Sequence, residues 1–76
     1  MNNLNIKEKA LLSLIGVLAK EDGYCLASNS TLSTEVNIHE RTLYRILNKL
    51  EELHYIYRVT QSIGNYGKER RIYLNK

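Results

Sequence analysis

The chain has 76 residues, 43% hydrophobic and 25% charged, with a formal charge of +3 at pH 7. That length suits one small domain around a single core, and the composition is that of a globular chain, which excludes wholesale disorder. One cysteine excludes an internal disulfide or a multi-cysteine zinc site, and no membrane-length apolar run or signal-peptide pattern is present, so the cytoplasm is the expected location.

In chain order, Asn5 followed three residues later by Glu8 reads as a variant capping box and predicts a first helix from residue 6 to about residue 20. Leu11, Leu14, Ile15 and Leu18 form its inward face. Leu12 and Val17 fall to the two sides, so the helix is apolar over more than half its circumference. Either the rest of the domain covers those flanks or a second subunit does, and the second case is a homodimer through the first helix. Asp22 and Gly23 supply a stop. Tyr24, Cys25 and Leu26 then form an extended stub too short to stand alone, which is expected to pair with a later hairpin, with Cys25 as a small core residue.

Residues 28–53 read as two helices and a tight turn. Ser28 is a cap candidate for a short polar helix over 29–36 anchored by Leu32 and Val36. Asn37 tolerates the left-handed backbone that ends a helix, and Ile38 drops back between the two helices as a plug. From about residue 40, Leu43, Ile46, Leu47, Leu50 and Leu53 recur at spacings of three and four, which is one buried face on a 3.6-residue period. Arg41, Arg45, Asn48 and Glu52 fall opposite, with Tyr44 on the flank. Two arginines, an amide and a tyrosine on one exposed helix face suit the reading of a DNA groove.

After His54 the period changes to two. Residues 55–61 alternate, with Ile56, Arg58 and Thr60 on one side and Tyr55, Tyr57, Val59 and Gln61 on the other. Residues 62–69 hold two glycines, an asparagine and a lysine and read as a hairpin tip, and 70–74 return as a strand. All six aromatic residues are tyrosines, a usage that suits wet boundaries. Tyr44 and Tyr66 lie on the elements that would face nucleic acid, Tyr66 either packing in the wing or contacting sugar, phosphate or base. Tyr55, Tyr57 and Tyr73 are expected to cover the core. Leu11, Ile15, Leu18, Leu32, Ile38, Leu43, Leu47, Leu50 and Ile56 are the predicted core itself.

These segments together resemble the winged helix-turn-helix domain, of the type found in phage and plasmid replication initiators and small bacterial regulators. The resemblance rests on the run from Gly23 to Cys25, Ser28, Thr31, Leu32, Glu35, Arg41, Thr42, Leu43, Arg45, Leu50, Glu51, Glu52 and Ile56, and covers nearly the whole chain. Ala27, Asn37, His39 and His54 stand where that type usually has proline, glycine, a hydroxyl cap and glycine. The resemblance implies an α+β fold over residues 1–76, three helices plus a small antiparallel sheet, with the helix-turn-helix at about 28–53 and a β-hairpin wing at about 55–75. It also implies a regulator or replication accessory factor of a mobile element, and because the chain stops directly after the last strand no ligand-sensing or catalytic domain is expected.

Charge is unevenly divided. Residues 1–36 carry three basic and four acidic side chains and residues 37–76 carry eight and four, which favours a polyanionic partner on the C-terminal half. Double-stranded DNA is the leading partner, with Arg41 and Arg45 reading bases beside Tyr44 and Asn48. Thr42 and the first backbone amides of that helix would meet phosphate, and Lys68, Arg70 and Arg71 would hold the flanking backbone, Arg71 facing the DNA. The alternatives are a protein-interaction module on the same scaffold, or a single-strand binder whose tyrosines stack on bases.

No catalytic or metal constellation is present, and neither an enzyme nor a cofactor is expected. His39 and His54 are fifteen residues apart with no Asp or Cys spaced to join them, and they read as a poor helix cap and a helix-end residue. Glu51 and Glu52 diverge by about 100° on a helix and cannot form a dyad. Gly64 and Gly67 lack the context of a phosphate loop.

Overall fold

A computed structural model describes residues 4–75, the side chain of Tyr66 excepted. The contact expected of Tyr66 therefore lies outside the described residues. In order come α1 (Ile6–Leu18), α2 (Asn29–Glu35), α3 (Glu40–Glu52), β1 (Ile56–Ser62), a 3-10 turn (Gly64–Tyr66) and β2 (Lys68–Leu74). This is the expected α+β winged helix.

The α1 capping box forms in full: the Glu8 backbone N–H donates to Asn5 Oδ1 at 2.8 Å, and the Asn5 N–H donates to Glu8 Oε1 at 2.9 Å. Gly23, at φ +83°, turns the chain beyond the helix and donates its N–H to the Ala19 carbonyl at 2.8 Å. The buried stripe follows Leu4, Glu8, Leu11, Ile15 and Ala19. Leu18, predicted in the core, is 42% exposed instead, because Ala19 takes the inward position on the last turn and leaves Leu18 on the flank.

Both helices of the motif end alike. Behind α2, Asn37 is left-handed at φ 56°; its N–H reaches the Thr34 carbonyl and the Ile38 N–H reaches that of Ser33. Behind α3, His54 is left-handed at φ 68°, with its N–H on Glu51 and that of Tyr55 on Leu50. This paired hydrogen bonding closes orphan carbonyls, and a residue without glycine's freedom holds the left-handed position each time. Ile38 is thereby drawn back, half-buried, against the core. Leu53, counted with the buried face of the second helix, sits past the last turn and is exposed.

The strands pair antiparallel from Ile56 opposite Leu74 to Ser62 opposite Lys68. The stub adds one bridge: Cys25 N–H to Ile72 O at 2.8 Å and Ile72 N–H to Cys25 O at 3.0 Å. Strand alternation puts Ile56, Arg58, Thr60, Arg70, Ile72 and Leu74 on the helix-facing side and Tyr57, Val59, Gln61, Glu69, Arg71 and Tyr73 on the other. Tyr57 and Tyr73 thus do not cover the core, as expected of them, since the inward positions belong to Ile56 and Ile72. They form an outward row with Tyr24, Tyr57 stacked on Tyr73 at 4.9 Å between centroids and Tyr24 tilted against Tyr73 at 5.6 Å. Tyr55 alone of the three packs against the core, whose fully buried members include Leu11, Ile15, Cys25, Leu32, Leu43, Leu47, Leu50, Ile56 and Ile72.

Candidate nucleic-acid interface

α3 presents three strips outside its buried face. Arg41 and Arg45, one turn apart, form the outermost ridge with Glu52 below them, while Thr42 and Lys49 lie on one flank and Tyr44, Asn48 and Glu51 on the other. Arg41, Thr42, Tyr44 and Arg45 are all exposed, and among the described residues neither arginine has a hydrogen bond or ion pair. Uncompensated guanidinium groups on one ridge keep their full donor capacity for a ligand.

Each flank of that ridge is tied down. On the Lys49 side, Nζ donates to both carboxylate oxygens of buried Glu8, at 3.0 and 3.1 Å, and so joins α3 to α1. Hydrogen bonding from the Asn5 N–H holds the Glu8 carboxyl below its ordinary pKa, against the opposing effect of burial and with further help from Lys49. On the other side, half-buried Arg58 reaches from β1. Its Nε donates to Glu51 Oε1 and its Nη2 to Asn48 Oδ1, both at 2.6 Å. Lys7 Nζ also donates to the Val36 carbonyl at 2.8 Å, which ties α1 to the end of α2.

The wing cations separate by strand parity. Lys68 and Arg70 border an open cleft of about 510 Å³ between the wing and the start of α2, lined also by Leu26, Ala27, Ser28, Asn29, Ile63 and Glu69. Lys68 is exposed. Arg70 is half-buried and bonded to Asn29 Oδ1 and, at 2.8 Å, to the Ala27 carbonyl; burial lowers its pKa from the ordinary arginine value. Arg71 lies on the outward face, its Nε on Glu69 Oε1 at 2.7 Å and its guanidinium 4.3 Å from the Tyr24 ring centre, and the Glu69 bond raises its pKa. The structure therefore gathers Arg41, Thr42, Tyr44, Arg45 and Asn48 on one helix, sets Lys68 and Arg70 beside α2, and puts Arg71 on the sheet face turned from α3.

Sequence reasoning passed over Glu8, Lys49 and Arg58 as residues that set this surface. Arg58 did carry a sign: it alternates with Ile56 on the inward side of a strand, and an inward arginine requires partners. Among the described residues no three His, Cys, Asp or Glu side chains gather in a way that could hold a metal ion, and no helix is long and apolar enough to cross a membrane.

Residues 2–56 match a family model described as a helix-turn-helix domain. No curated protein and no solved structure matches the chain.

Proposed function

Because the chain belongs to the helix-turn-helix domain family, we propose that it binds double-stranded DNA with sequence preference, laying α3 in the major groove, as a regulator or replication accessory factor of a mobile element. The observation that carries this reading is the Arg41–Arg45 ridge, exposed and without protein partners among the described residues, on a helix tied down along both flanks. Arginine bonds both acceptors of guanine in that groove, and a fixed helix sets the register of its side chains. Thr42 and the amides of the first turn of α3 meet phosphate, and Lys68 supplies the wing's sequence-independent contact. Arg70 steadies the wing against α2.

We also propose a homodimer through α1, in which Val17 but not Leu12 takes part, since Leu12 is half-buried against the core. Ile6, Ala10, Ser13 and Val17 are exposed along one ridge, with Ile6 83% and Val17 69% accessible. Their spacings of four, three and four read the same in either direction, bulky at the ends and small in the middle. A two-fold axis between antiparallel copies exchanges Ile6 with Val17 and Ala10 with Ser13, which is the self-complementarity an isologous interface requires. Val17→Glu should abolish a dimer seen by sedimentation, and a monomer at high concentration in the unmutated chain would remove the idea.

One feature favours the single-strand reading: the outward tyrosine row offers ring faces for base stacking. Among the described residues, the cation stacked on this row, Arg71, is ion-paired with Glu69, which leaves it less charge to offer a single strand. Affinity for a random duplex and a random single strand of equal length, at two salt concentrations, tests the choice. Tighter duplex binding with a steep salt dependence is expected, and equal or tighter single-strand binding would overturn it.

A further inference from the structure

Asn48 stands three residues after Arg45 on the wing-side flank of α3, and its amide is not free to turn. Arginine has donors and no acceptor, so the atom that meets Arg58 Nη2 at 2.6 Å must be the carbonyl oxygen Oδ1. Glu51 holds the same guanidinium through Nε, also at 2.6 Å, which fixes the plane of the fork. The amide nitrogen of Asn48 then points away from Arg58. It has no partner among the described residues and is not a buried unsatisfied group. Asn48 therefore offers outward donors, while one of the two lone pairs of Oδ1 is taken by a cation whose charge weakens the other as an acceptor.

We infer that Arg58 sets what Asn48 can read, so that α3 favours a base with a carbonyl acceptor, guanine or thymine, where Asn48 meets the groove. This rests on the proposed duplex reading. An unconstrained asparagine pairs with adenine through both amide atoms, accepting from the N6 amino group and donating to N7. Here an amino group approaching Oδ1 must share that oxygen with the Arg58 guanidinium, whose positive charge repels the amino hydrogens, and the same electrostatic obstacle stands before the N4 amino group of cytosine. Guanine O6 and N7 and thymine O4 require only donors, which the outward amide supplies; adenine shares the N7 acceptor but sets its N6 donor beside it, against the donors of the amide. The charged bond on Oδ1 also polarises the amide and strengthens those donors.

The test is selection of bound sequences from a random duplex library by the unmutated protein, Asn48→Ala, Asn48→Asp and Arg58→Met. Asn48→Ala identifies the base position, where the unmutated protein should enrich guanine or thymine about fivefold or more. Asn48→Asp keeps an acceptor for Arg58, so it retains the brace while removing the donors, and the preference should move to cytosine or adenine. Arg58→Met keeps the aliphatic stem and frees Oδ1, so adenine should enter. If Arg58→Met melts before selection, Arg58→Gln, which keeps a neutral donor for Oδ1, replaces it, and adenine should enter there as well. Adenine or cytosine enriched by the unmutated protein, a folded Arg58→Met with the base preference unchanged, a guanine or thymine preference surviving Asn48→Asp, or no position altered by Asn48→Ala would each overturn the inference while leaving duplex binding intact. Failure of the unmutated protein to enrich any sequence would instead overturn the duplex reading and this inference with it.

Discussion

The second helix of the motif and the wing carry the same kind of residue in opposite circumstances. On α3, Arg41 and Arg45 stand on a ridge turned away from the domain, with no partner among the described residues. In the hairpin, Arg58, Arg70 and Arg71 each bond a side chain or carbonyl of the protein. A helix of this length buries one stripe and frees the rest of its circumference, whereas a strand in a small sheet sends alternate residues inward, where a guanidinium needs acceptors. Basic residues counted along the chain are thus not equal contributors to a surface. On α3, Arg41 and Arg45 are available to a ligand whereas Lys49 is bonded to Glu8, and in the hairpin Arg58 and Arg70 hold the sheet against the helices while Arg71 is taken up by Glu69 and Tyr24.

The largest effect comes from removing what both regions rest on. Leu47 is fully buried beneath α3, and Leu47→Ala should lower unfolding free energy by about 2 to 5 kcal/mol in a denaturant melt, abolishing the comparison by loosening both regions together. A loss below about 0.5 kcal/mol would mean that this face is not the core.

Glu8→Gln tests the tie on the Lys49 flank alone. It should cost about 1 to 3 kcal/mol at neutral pH, with the hairpin unaffected. The native carboxyl titrates below its ordinary value of 4.5, so its stabilisation is present above that value and disappears as pH falls through the lowered native value. The gap between Glu8→Gln and the unmutated protein should therefore close in acid. A gap that stays constant from neutral pH to acid would refute the role of the ionised carboxylate.

His54→Gly should stabilise by about 1 kcal/mol, since the residue stands left-handed at φ 68° where glycine meets no steric penalty. Thermal melts would show the rise, and the wing-side bonds of Arg58 should survive it.

Lys68→Ala sharpens the contrast within the wing. Its effect on stability should be within about 0.5 kcal/mol, while the slope of log affinity against log salt becomes shallower by about 0.9. An unchanged slope would remove Lys68 from the interface.

The helices, their caps and the hairpin were legible because each depends on residues within one or two turns of chain. The Asn5 and Glu8 box, the Ser28 cap and the left-handed Asn37 are local devices with local signatures. The ridge of Arg41 and Arg45 followed from the phase of Leu43, Ile46, Leu47 and Leu50. The ties were not legible, because Glu8 and Lys49, or Asn29 and Arg70, are 41 residues apart and meet only after the core has formed. The exposure of Leu18 and the outward placement of Tyr57 and Tyr73 were not legible for a related reason. Apolar character alone does not say which of two neighbouring positions turns inward when a helix ends or a strand is covered on one side only.

The most direct measurement is a titration of the unmutated protein, Arg45→Ala and Arg71→Ala on the preferred and on random duplexes across salt. Arg45→Ala should lose about 1 to 3 kcal/mol on the preferred duplex and flatten discrimination at one base position, whereas Arg71→Ala should leave affinity within about 0.5 kcal/mol on every duplex. Loss of affinity with Arg71→Ala and none with Arg45→Ala would contradict the assignment of α3 to the DNA and of the hairpin arginines to the protein.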